Sequence, residues 1–110
     1  MKTIGIKHLK INSSLIDVEY VKKLVREDGR PLLGRIWYDH GLVRINKKFP
    51  SLTQLKTLFH EATHGINDEF TLDLEEGEID ILSKAFYAFI VYNPKFIRKI
   101  LGFAAKRRKK

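Results

Sequence analysis

Five consecutive residues, His60, Glu61, Ala62, Thr63 and His64, read H-E-x-x-H, an order whose side chains could bind a metal ion and activate water. On a helix, residues four apart differ by about 40° in azimuth and about 6 Å in rise, so both imidazoles reach one ion from the same face. Glu61 projects beside that face, where its carboxylate can take a proton from an attacking water. The chain contains no cysteine, which removes disulfides and thiolate sites. A metal would be held by histidine, carboxylate and water, a set that suits zinc, the expected cofactor. Histidine pairs at this spacing also occur as plain solvated surface, so the helix and a third ligand must be found.

The helix has a marked start. Ser51 is placed to be its N-cap, Gln54 completes a capping box, and Pro50 can pack on Leu55. The pattern predicts a helix through His64 that fades near Asn67 and Asp68. Thr53, Thr57, His64 and Asn67 share one side with His60, while Leu52, Leu55, Leu58, Phe59, Ala62 and Ile66 share the other. Gly65 weakens the helix by about 1 kcal/mol relative to alanine, and it lets another segment approach closely.

A second helix is expected from a cap at Asp73, with Glu76 as the capping partner and an apolar stripe of Ile79, Leu82, Phe86, Phe89 and Ile90. With Glu78 at zero, Glu75 falls at about 60° and the stripe between roughly 20° and 120°. Both acids then aim towards the core side, while Glu76 and Asp80 point away. An inward acid needs a partner, whereas an acid in a first turn can simply favour the helix dipole. The dipole accounts better for Glu75, so Glu78 is the expected third ligand. Asn93-Pro94 ends this helix and opens a last one, closed by Gly102, whose Phe96, Ile97, Ile100, Leu101 and Phe103 are expected in the core.

Upstream, Ile4, Ile6, Leu9 and Ile11 alternate with polar positions, and Leu15 to about Leu24 reads as a strand. Asp28-Gly29 is a turn. Gly34–Asp39 and Leu42–Asn46 read as a hairpin joined at Asp39-His40-Gly41, with Gly41 left-handed. His8 and His40 read as surface and turn residues. The expected fold is α+β, a small antiparallel sheet packed on the H-E-x-x-H helix and a second core helix, a minimal zincin-like arrangement. The 110 residues suit one domain, 1–105, followed by a basic tail, 106–110.

Net charge is +8, and +3 without the five cations Lys106–Lys110. The tail reads first as a solvated end that aids solubility, and second as a contact for nucleic acid. No apolar run reaches bilayer-spanning length and none resembles a signal peptide, so no membrane partner and a cytoplasmic location are expected.

His60, His64 and Glu78, with Glu61 as base, would cleave a peptide bond. The strand Leu42–Asn46 would hold the substrate extended, with His40, Tyr38 or Arg44 available to an oxyanion. Asn67 and Phe70 occupy the positions where metzincins carry glycine and histidine, which excludes that class. Thr57–Ile66, Leu74–Asp80 and Asn93-Pro94, with Gly34–Tyr38 and Leu42–Ile45 upstream, resemble the small ImmA/IrrE-type metallopeptidases, particularly the short phage and prophage versions. The similarity covers about residues 15 to 100; Gly65 departs from the usual alanine, and no helix-turn-helix or sensor domain is expected within it. The resemblance implies a gluzincin-like fold, zinc on His60, His64 and Glu78, a transcriptional repressor as the class of protein substrate, and a bacterial or phage-infected cell as the setting. The alternative is a non-catalytic, metal-stabilised protein that binds a protein partner or DNA through its basic surface.

Overall fold

The computed structural model describes residues 2–108. Strands form where apolar and polar residues alternate: β1 (His8–Ile11) turns at Asn12-Ser13 into β2 (Ser14–Val21). Ile16 and Val18 are buried on β2, while Leu15, Asp17 and Glu19 face solvent. The stretch 22–33 is a long connection whose tight turn at Asp28-Gly29 puts Gly29 at φ 85. It leads into β3 (Gly34–Trp37), a single 3-10 turn over Tyr38–His40, and β4 (Leu42–Asn46). Gly41 closes that turn in the left-handed conformation expected of it, φ 61.

The four strands lie in the order β1-β2-β4-β3, and the sheet is mixed rather than antiparallel. β1 pairs antiparallel with β2, and β3 antiparallel with β4, but β2 and β4 run parallel. The cause is the 22–33 connection, long enough to skip a strand position. β3 therefore forms at the far edge, and β4 returns into the gap it left. β4 is thus an interior strand, and the free edge near the helices belongs to β3.

The helices α1 (Ser51–Glu69), α2 (Glu76–Tyr92) and α3 (Pro94–Arg108) follow. α1 crosses the sheet, and its Leu58 joins Ile11, Ile16, Val18, Val43 and Ile45 in the core. Neither expected N-cap forms. α1 is preceded by Pro50, with no side-chain cap, and Gln54 is buried with its amide donating to the Lys2 and Phe49 carbonyls at 2.9 Å. Asp73 sits at φ 59, so α2 starts two residues later than expected, capped by Glu75. At its C-terminal end α1 is tied to the sheet: Glu69 accepts hydrogen bonds from Tyr38, from Ser14 at 2.9 Å and from Asn12 at 3.1 Å.

The apolar stripe expected to bury α2 does not do so. Ile79 is buried, but Phe86, Phe89 and Ile90 are exposed. The face turned to α1 carries Ile79, Ser83 and Tyr87, with Tyr87 edge-on to Phe59 at 5.8 Å between ring centres. Apolar residues occur on every side of α2, so periodicity alone could not select this face. Phe96, Ile100, Leu101 and Phe103 of α3 are likewise exposed instead of core. Gly102 does not end α3, which runs unbroken past residue 105 to Arg108; Lys109 and Lys110 lie outside the described residues.

Candidate metal centre

α1 is long enough to carry His60 and His64 on consecutive turns, and their rings meet edge to face with centres 5.0 Å apart. The side that looked polar in sequence does not face open solvent. α2 crosses above it, leaving both histidines half-buried between the two helices. The rotated face of α2 brings Glu76 over them. One Glu76 oxygen lies 2.9 Å from His60 Nε2 and the other 2.8 Å from His64 Nε2. Ligand atoms of these three residues all fall within 4.8 Å of one another, so the group could hold a metal ion. An imidazole nitrogen and a carboxylate oxygen bound to one tetrahedral zinc at about 2.0–2.1 Å would lie about 3.3 Å apart, a few tenths of an ångström more than either His–Glu76 contact. Two imidazole nitrogens and one carboxylate on exposed-to-half-buried side chains fit that requirement.

Glu78, the expected third ligand, is not in this group. Its carboxylate accepts the Glu75 backbone N–H at 2.8 Å, the reciprocal half of a capping box. Glu75 is the cap itself. Two overlapping acid-x-x-acid frames, Asp73/Glu76 and Glu75/Glu78, start this helix in sequence, and the left-handed Asp73 backbone leaves only the second available for capping. Glu76 is thereby freed to reach α1.

Asp80, one turn on and expected to point away, comes within 3.4 Å of His60 Nδ1. A carboxylate on the second ring nitrogen fixes the tautomer that leaves Nε2 to a metal. Asp80 is itself held by Lys84 at 2.9 Å, and that bond first, with His60 a lesser influence, keeps its carboxyl below the usual aspartate range. The i, i+4 spacing of Glu76 and Asp80 could have flagged both, had the buried face of α2 been identified.

Glu61 sits where its position after the first histidine places it, on the sheet side of α1 and only 8% exposed. Burial pushes its carboxyl above the ordinary glutamate range; His60 and His64 pull it back, Glu76 adds to the rise, and the Ile36 backbone amide favours the charged form. That amide belongs to β3. Leu33 gives its carbonyl to Asn46 of β4, so by alternation Gly34 and Ile36 turn their backbone groups to the free edge.

The close approach of β3 and β1 to the helix depends on two glycines. A Cβ on Gly34 would lie 2.6 Å from Thr57 Cγ2, and one on Gly65 would run into the Ile11 side chain. Gly65 thus does what its place beside the second histidine suggested. A cleft of about 580 Å³ opens over the centre, bordered by Arg26, Asp28, Gly34 and Ile36 together with the metal-capable group. A second cavity of about 720 Å³ adjoins it, with Leu32, Leu33, Phe59, Ser83 and Tyr87 in its walls. Tyr38, His40 and Arg44 border neither; the arginines that do are Arg26, on both, and Arg35, on the first.

No protein-family model, curated protein or solved structure matches the chain.

Proposed function

We propose that the protein is a zinc-dependent endopeptidase of zincin-like design, acting on a protein partner. The observation that supports this best is the convergence of His60, His64 and Glu76 with a buried Glu61 beside them and, alongside, a strand that ends the sheet among the described residues. His60, His64 and Glu76 would hold the ion, and Asp80 would orient His60. Bound there, zinc would supply Lewis acidity, lowering the pKa of water towards about 7 and polarising a carbonyl. Glu61 accepts the proton of the attacking water and returns it to the departing amine. The free edge that holds an extended substrate is β3, Gly34–Trp37, in place of β4. The adjoining cavity, walled by Leu32, Phe59 and Tyr87, suits a large apolar side chain next to the scissile bond. Arg26 borders both cavities and is the cation best placed to face developing negative charge. The likeness to ImmA/IrrE-type peptidases noted in the sequence makes a transcriptional repressor the first substrate to try.

The test is Glu61→Gln. Zinc content measured by mass spectrometry should match the wild type, while cleavage of a quenched fluorescent peptide library should fall by about 10²–10⁴-fold. Equal cleavage by both proteins, or none by zinc-loaded wild type on the library and on repressor proteins, would leave a metal-stabilised binding protein as the better reading.

A further inference from the structure

The charge of this chain is segregated. Residues 94–110 contain eight of its twenty-one cations and none of its thirteen acids, so the first 93 residues are neutral and the whole net charge of +8 sits in α3 and its end. The same helix exposes its large apolar side chains: Phe96 53%, Leu101 60% and Phe103 65%. Helical geometry sorts most of the two kinds. With Pro94 at zero, Arg98, Lys95, Lys106 and Lys99 fall between about 40° and 140°, and Phe103, Phe96, Ile100, Ile97 and Leu101 between about 180° and 340°, an arc that Arg107 and Arg108 enter only in the last two residues of the helix. Among the residues of α3 whose burial is described, only Ile97 and Ala105 are even half-buried. Phe96 meets Phe89 of α2 edge to face, ring centres 5.8 Å apart, so the apolar face continues onto α2, where Tyr92 is 81% exposed.

We propose that α3, with the adjoining end of α2, docks on the surface of an anionic phospholipid bilayer, the phenylalanines entering the acyl boundary and the lysines and arginines pairing with headgroups. An interfacial helix needs a basic face and an aromatic-aliphatic face and lies in the plane of the membrane. It does not need the spanning length whose absence led the sequence to no membrane partner; among the described residues no helix could cross one. The other occupants fit less well. A second copy would bring two +8 segments together. A nucleic acid would satisfy the cations and leave the phenylalanines in water.

The test uses the full chain in co-sedimentation with vesicles of phosphatidylcholine alone and of phosphatidylcholine mixed equally with phosphatidylglycerol. Binding should be at least tenfold stronger to the anionic vesicles and unchanged by a metal chelator. Two variants probe the two faces, Phe96→Ser/Phe103→Ser and Lys95→Glu/Lys99→Glu, all at exposed positions, with circular dichroism checking the fold. Each should weaken vesicle binding about tenfold or more. Absence of binding to anionic vesicles overturns the proposal. So does binding that persists in the Phe96→Ser/Phe103→Ser protein, since lipid contact would then be charge alone. Duplex DNA binding without vesicle binding would reassign the helix to nucleic acid, and a dimer in sedimentation velocity that the Phe pair abolishes would reassign it to a second copy.

Discussion

The division of labour between two acids one turn apart is the sharpest residue-level outcome. Glu76 faces both imidazoles, and Glu78 closes the capping box of α2. Their substitutions should separate cleanly. Glu76→Ala should weaken zinc binding by more than the roughly 10–100-fold typical of losing an outer partner, read by competition with a chromophoric chelator. Glu78→Ala should keep zinc affinity and lose about 1 kcal/mol of stability, the worth of a cap, read by urea unfolding. The H-E-x-x-H half of the site was legible because its geometry is set within one helix. The third residue was not, because it depends on where α2 starts and how α2 is rotated. Sequence offers two equivalent acidic starts, and only the left-handed backbone at Asp73 decides between them.

Between elements, what matters is how closely they pass. α1 presses Gly65 against Ile11 of β1 and Ile36 of β3, so the helix-weakening glycine is retained for contact. Gly65→Ala gains about 1 kcal/mol of helix propensity and meets an overpacking cost of about 1–3 kcal/mol. The expected result is a net loss of order 1 kcal/mol in urea melts, partly recovered by adding Ile11→Val, which removes the obstructing δ carbon. Element existence was largely readable: α1, the α2–α3 break at Asn93-Pro94, the Asp28-Gly29 turn and Gly41 all stand where spacing and turn chemistry put them. Pairing was not. Whether β4 lies inside or at the edge depends on a skipped strand position, and alternation within a strand carries no record of its neighbours.

At the scale of the molecule, one sheet and one helical layer are held together by a buried core in the middle and by Glu69 at one end. The hydrogen bond from Tyr38, then those from Ser14 and Asn12, holds the Glu69 carboxyl below the ordinary glutamate value of 4.5. A carboxyl lowered on folding stabilises fully above its unfolded pKa and loses that contribution as pH falls through the folded one. Wild type should therefore lose more stability between neutral and acid pH than Glu69→Gln does, with urea midpoints at the two pH values as the measurement. The layers make one further demand where β3 lies along α1. At Gly34 the strand sits on Thr57 with no side chain between them, so the spacing of β3 from the helix that carries His60 and His64 is set by a missing carbon. A single added methyl there would push the strand off the helix while His60, His64 and Glu76 stayed in place.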